Sequence, residues 1–235
     1  MAKLVLYTFG IFQQPRDHEQ IKGFHDLNPF VYTSAENSDG FVDRSGNSWK
    51  RDHTDRETDW GTREVSPRFL TSGEHRDAPA TLSLWEDVES VYAFTYYGFH
   101  AEVLKHRDDW FVKGDWPAFV AWWIPDDETP TRTQGAQRLE HLHDNGPTAH
   151  DFDFKVPFDS DGQPLQMDRR RFKTGGGRAV AYAARTGCLK SRGSGDDGDG
   201  KPTIKLVEEM RIMASDSSGG LHYSGDVTIE IDDPS

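Results

Sequence analysis

The feature that most constrains this chain is the stretch from Thr81 to Pro125, where two apolar runs flank a long series of aromatic residues at helical spacing. Thr81-Leu82-Ser83-Leu84-Trp85 alternates small polar with apolar residues, the period of a strand buried on one face. Glu86, Asp87 and Glu89 then place negative charge in the first turn of a helix, where free backbone N–H groups favour it. Val88, Val91, Tyr92, Thr95, Phe99, Val103, His106 and Trp110 recur at intervals of three and four, which predicts one long helix with a wide aromatic stripe. Ala118-Phe119-Val120-Ala121-Trp122-Trp123-Ile124 follows as a second buried strand, stopped by Pro125.

Polar residues border that stripe. Tyr96, His100, Leu104 and Arg107 lie beside it, because positions three and four apart are neighbours on a helix surface. Gly98 interrupts the middle at a cost of about 1 kcal/mol relative to alanine, which points to a local kink or a close approach.

Several ordered motifs in this region resemble the DUF3291 family of bacterial proteins. They are Leu84-Trp85-Glu86-Asp87-Val88-Glu89, Tyr96 to His100, Arg107-Asp108-Asp109-Trp110-Phe111 and Trp122-Trp123-Ile124-Pro125. Arg138-Leu139-Glu140-His141-Leu142, Asn145-Gly146-Pro147-Thr148 and Phe152 continue the series in the same order. The resemblance covers residues 1–158 and implies an α+β fold: a ferredoxin-like βαββαβ unit that pairs its sheet with a second copy to form a dimeric α+β barrel. It implies no established reaction. Residues 159–235 fall outside it and read as a β-rich extension.

Composition narrows the partners. A net charge of −13 and a pI near 5.1 argue against sequence-independent binding of nucleic acid or of an anionic membrane, both of which need a basic face. A single cysteine, Cys188, allows no intramolecular disulfide and no thiolate zinc cluster, and a cytoplasmic setting is the default. The apolar run Leu4-Val5-Leu6-Tyr7 is too short for a signal peptide or a membrane span and reads as the first strand. Ile21 and Phe24 predict a modest first helix between Pro15 and Leu27, closed before Asn28-Pro29. Phe30 to Tyr32 and Gly40 to Asp43 would then supply the second strand, with His18 and His25 as surface or helix-flank residues.

Residues 44–80 are polar and nearly aperiodic, anchored by Trp49, Trp60 and Phe69. By length they suit a lid, but a surface loop whose tryptophans pack on their own domain is the stronger reading. Thr131 and Arg132 start a further helix with Ala136, Leu139 and Leu142 on its inner face and Gly146-Pro147 at its end. His141 and His143 are two apart and do not form the i,i+4 pair of a helical metal site. Asp151 to Val156 alternates as an edge or closing strand would. Beyond it, residues 178–182, 203–213 and 221–231 have strand-like runs, separated by a Gly/Asp/Ser linker over 191–200. Thr174 to Gly177 lacks the ending of a phosphate loop, and Asp196, Asp197 and Asp199 lack the twelfth-position glutamate of a calcium loop.

A barrel with aromatic residues inside offers an apolar cavity with a few polar groups, the usual form of a small-molecule site. His100 is the candidate general base, Tyr96 the candidate donor to a developing oxyanion, and Arg107 a fixed positive charge nearby. Trp85, Phe99, Trp110 and Trp122 are candidates to contact the substrate. His100 suits equally well a structural imidazole bonded to a backbone carbonyl, and His106, Tyr92 and Tyr97 suit a filled core better than a site. Three functions fit. The first, implied like the second by the wider superfamily the chain resembles, is a cofactor-independent enzyme of monooxygenase, cyclase or isomerase type acting on an aromatic or polyketide-like molecule. The second, implied by the wider superfamily, is a haem protein with His100 or His106 as the iron ligand. The third is a non-catalytic binding or scaffolding protein, marked by an interior filled by Trp85, Phe94, Phe99, Trp122 and Trp123. No cofactor is required for the first, and a homodimer is the expected assembly.

Overall fold

The computed structural model describes residues 2–46, 60–61, 65–71 and 78–167. The chain runs β1 (Ala2–Phe9), α1 (Glu19–Glu36), β2 (Phe41–Arg44), β3 (Ala80–Trp85), α2 (Val88–Tyr96), α3 (Phe99–Leu104), α4 (Arg107–Trp110), β4 (Phe119–Pro125) and α5 (Arg132–Asn145). These strands form one antiparallel sheet in the order β2-β3-β1-β4. The connectivity through the first helix, the second and third strands and the following helices is βαββαβ, with each βαβ crossover spanning the other unit's strand. The fold is therefore α+β with a four-stranded open sheet. The strand-like runs beyond residue 167, and Trp49, lie outside the described residues.

Register assigns every central residue to a face. Leu4, Leu6 and Thr8 of β1 oppose Trp85, Ser83 and Thr81 of β3 and Trp123, Ala121 and Phe119 of β4, and these share the side that faces α1 and α2. Val5, Tyr7, Leu82, Leu84, Val120 and Trp122 share the opposite side and pack against Leu139 and Leu142 of α5. A strand's side chains alternate faces, so one β1 sequence builds two separate cores.

The predicted fifth helix forms where expected, and its ends are chemically marked. Thr131 caps it in a capping box with Gln134, Ala136, Leu139 and Leu142 are buried, and Gly146 closes it at φ 74°. Gly135 lets the helix lie directly on β1, since a Cβ there would stand 2.5 Å from the Tyr7 ring. A clasp holds the helix end: Asp151, 4% exposed, pairs with Arg138 at 2.5 Å and His141 at 2.9 Å.

Four expectations are corrected. The first helix does not close before Pro29 but continues to Glu36, so Phe30 to Tyr32 are helical rather than a strand. An interior proline costs about 3 kcal/mol. Burial of Leu27 and Ala35 and packing of Phe30 and Val31 against the aromatic cluster offset it. The single long helix over 88–110 is three short ones, broken at Gly98 (φ 77°, ψ −151°) and again at His106. Asp151 to Val156 is not a strand: Phe152 makes one isolated bridge to Ala121 and the chain then turns. His25 is no surface residue, for its ring packs among Phe12 and Phe24.

Trp60 and Phe69, the described anchors of the long loop, pack on the α5 side of the sheet, Phe69 stacking on Trp116 at 5.6 Å. This is the packing expected of a loop that covers its own domain.

Candidate functional site

The side of the sheet under α1 and α2 is floored by small residues. Leu6 and Thr8 of β1 stand beside Thr81 and Ser83 of β3, and the two threonine hydroxyls share a hydrogen bond of 2.6 Å. Ser83 Oγ accepts a bond from the Trp85 indole at 2.9 Å. Short polar side chains bonded to one another fill little volume, and a cavity of about 630 Å³ lies between them and the helices. Trp85, Phe94, Phe24, Val31 and Val103 supply apolar walls. The cavity continues past the end of the short β2 to Ser45 and Arg132, whose guanidinium donates to the Ser45 hydroxyl (2.7 Å) and the Ala80 carbonyl (3.2 Å).

The helix break builds the polar edge of this cavity. Gly98, in a backbone conformation nearly reserved for glycine, restarts the helix and leaves the Thr95 carbonyl facing the next turn. His100 Nδ1 lies 3.0 Å from that carbonyl. A carbonyl can only accept, so Nδ1 carries the proton and Nε2 holds the lone pair. Nε2 makes no hydrogen bond among the described residues and is not one of their sealed polar atoms. The ring also lies against Phe94, centroids 4.7 Å apart. Burial holds the His100 pKa below the usual histidine range, an effect only partly opposed by the Thr95 carbonyl. The imidazole is thus neutral at physiological pH.

Tyr96, one turn earlier, is partly exposed at the rim, against Tyr92 at 4.7 Å. Burial of its hydroxyl raises its pKa, with Tyr92 and Asp153 adding to the rise and Arg107 opposing it. It remains a protonated donor, and the Arg107 guanidinium is close enough to be felt.

Of the residues singled out in the sequence, His100, Tyr96, Arg107, Trp85 and Trp110 line the cavity together. Phe99 does not; it is sealed in the cluster formed with Phe12, Ile21 and Leu27. Trp122 lies on the other face of the sheet, beneath the Arg138 guanidinium at 5.1 Å. His106 turns to Asp109, 3.2 Å away, and lies tilted against Trp110 with ring centroids 5.7 Å apart. The side chains named for a filled interior therefore do not fill one hollow: they divide between separate cores, and the space under the helices stays open.

Sequence reasoning missed the α1 wall, with His25, Tyr32 and Arg16 at its approach, and the threonine floor. The spacing of Leu27, Val31 and Ala35 carried the helical signal, but Pro29 concealed it. Among the described residues, no group of three or more His, Cys, Asp or Glu is placed to hold a metal ion, and no helix is long and apolar enough to cross a membrane. Haem, the alternative that the sequence resemblance raised, can be tested against the residues present. His100 has one ring nitrogen held by a backbone carbonyl, as an axial ligand requires, and the aromatic-walled cavity has the volume for a large ring.

Sheet topology and cavity together define a class: an α+β protein with one open antiparallel sheet and a hollow between sheet and helices. Residues 3–168 match the family model described as "Domain of unknown function (DUF3291)", and the chain belongs to that family. No curated protein and no solved structure matches the chain.

Proposed function

We propose that the chain is a small-molecule enzyme that binds an aromatic or polyketide-like substrate in the cavity under α1 and α3 and removes a proton from it with His100. One observation carries this reading: a neutral imidazole on the cavity wall whose Nδ1 is committed to the Thr95 carbonyl, which leaves Nε2 as the basic atom. The proton of an acidic C–H or O–H of the bound molecule passes to Nε2, giving an imidazolium still anchored through Nδ1–H. Negative charge then develops on the adjacent oxygen of the substrate. Tyr96 donates to that oxygen and Arg107 stabilises it electrostatically. Trp85 and Phe94, stacked at 5.2 Å, supply a flat wall for the ring system. Cyclase, isomerase and oxygenase outcomes differ in what the resulting anion meets next.

The test is turnover of a panel of phenolic and 1,3-dicarbonyl compounds by wild type and by His100→Gln. A general base contributes about 10²–10⁴-fold, so the variant should lose at least about 10²-fold in kcat while its circular dichroism is unchanged. A variant with full activity removes His100 from the mechanism.

The fixed His100 ring also favours a second reading, a haem protein in which His100 holds the iron through Nε2; the group would supply redox chemistry. An absorption spectrum after haem titration separates the two, since His100→Ala abolishes a Soret shift only if this residue is the ligand. The homodimer implied by the family resemblance would form without the α5-side face of the sheet, because Val5, Tyr7, Val120 and Trp122 are already buried within one chain. Light scattering reads the mass directly.

A further inference from the structure

The charge lining this cavity is opposite to that of the protein. The chain holds 40 Asp and Glu against 27 Lys and Arg, yet no described residue lining the cavity is acidic, whereas four are arginines: Arg16, Arg44, Arg107 and Arg132. Two of the four have structural tasks. Arg44 is bound to Glu36 at 2.7 and 3.0 Å and lies over the Tyr32 ring, while Arg132 ties Ser45 to the Ala80 carbonyl. Arg16 and Arg107 differ. Both are exposed, and neither side chain has a hydrogen bond or an ion pair with another described residue. Surface arginines of an acidic protein usually find carboxylates, as Arg68 does with Asp144 and Glu140. Among the described residues, then, two guanidiniums on the approaches to an apolar hollow have no carboxylate partner.

We infer that the cavity takes an anionic aromatic molecule, a carboxylate, sulfonate or comparable monoanion, whose apolar body lies between Trp85, Phe94 and the α1 wall while Arg16 and Arg107 hold its charge. The inference rests on the cavity being a binding site and names the chemical class of its occupant. Guanidinium forks pair with planar oxyanions through charge-assisted bonds, and the apolar walls reject small inorganic ions. The acidic remainder of the surface repels anions in general, which sharpens selection for those carrying enough apolar surface to enter.

Two fluorescent probes test this: 8-anilinonaphthalene-1-sulfonate, and N-phenyl-1-naphthylamine, which has the same ring skeleton without the sulfonate. Apolar burial alone favours the neutral probe. The expected result is a 1:1 complex in which the sulfonate binds at least about tenfold more tightly, a preference that shrinks with added salt. Arg16→Ala/Arg107→Ala, altering exposed side chains only, should erase the preference by weakening sulfonate binding at least about tenfold more than neutral-probe binding; Arg68→Ala should alter neither. Equal affinities for the two probes, or a preference that survives the double substitution, overturn the anion inference and leave the cavity as a binding site. Failure of both probes to bind the folded chain removes the site itself, and the inference with it.

Discussion

The two sides of the sheet are built from the same strands and yet end in opposite states. Under α5, each inward position carries a large apolar side chain: Val5, Tyr7, Leu82, Leu84, Val120 and Trp122 form a buried cluster with Leu139 and Leu142. Under α1 and α2, the corresponding positions in the middle of β1 and β3 are Thr8, Thr81 and Ser83; α1 above them carries Pro29 within its length, and α2 breaks off at Gly98. The closed side supplies cohesion and the open side supplies a site. A packed core resists deformation, so a hollow of this size persists only where a separate core holds the sheet. Even the α5 side has a cost: Tyr7 Oη and Trp122 Nε1 are buried without hydrogen-bond partners among the described residues, and burial pushes the Tyr7 pKa up to about 12, with Arg132 opposing and Glu140 reinforcing the rise.

Substitutions on each side should separate these roles. The largest loss of stability is expected from Leu139→Ala, which empties a fully buried position of the closed core and should cost about 2–5 kcal/mol in urea denaturation. Probe affinity, measured on the fraction that remains folded, should be unchanged. Gly98→Ala forces a side chain into a φ/ψ region reserved for glycine and should cost about 1–3 kcal/mol. Because that turn carries His100, turnover should fall by more than the loss of folded protein accounts for. If activity simply follows the folded fraction, the break is architecture alone.

Thr81→Leu should invert the pattern. The added methyl groups enter open space, so stability should stay within about 1 kcal/mol of wild type, while apolar probe binding falls at least about tenfold. Unchanged binding would mean that the threonine floor does not bound the occupied volume.

The smallest effect concerns pH. The folded state holds the His100 pKa below its unfolded value, so the unfolded chain takes up the proton first as pH falls below about 6.5. Stability from this group is therefore fully present above that pH, declines below it, and levels off once the folded state is protonated as well. His100→Gln should remove that component of the slope in denaturation midpoints recorded between neutral and acid pH. An unaltered slope would mean that the imidazole is not held neutral by its surroundings.

Much of the frame was legible because its signals are local. Alternation over Thr81–Trp85 and Ala118–Ile124 gave strands in the expected places, and Thr131 and Gly146 marked the ends of α5. The site was only partly legible. His100, Tyr96 and Arg107 were read from spacing on one continuous helix, but they reach one cavity through a helix break that spacing cannot describe. His25 and Arg16 went unrecognised as cavity residues because Pro29 suggested that the first helix had ended. The sequence led to a hollow inside a barrel of paired sheets; within one chain the hollow lies between sheet and helices, and α5 covers the other face.

By itself the amino-acid order determined the buried strands β1, β3 and β4, which residues are apolar enough to seek burial, and both ends of α5. Those properties depend on neighbours a few positions away. Only the tertiary structure decided which side of the sheet closes and which stays hollow. That outcome depends on whether the side chains arriving from α1, α2 and α5 are large enough to fill the space above residues as small as Thr8, Thr81 and Ser83, and no local window contains both partners of such a contact.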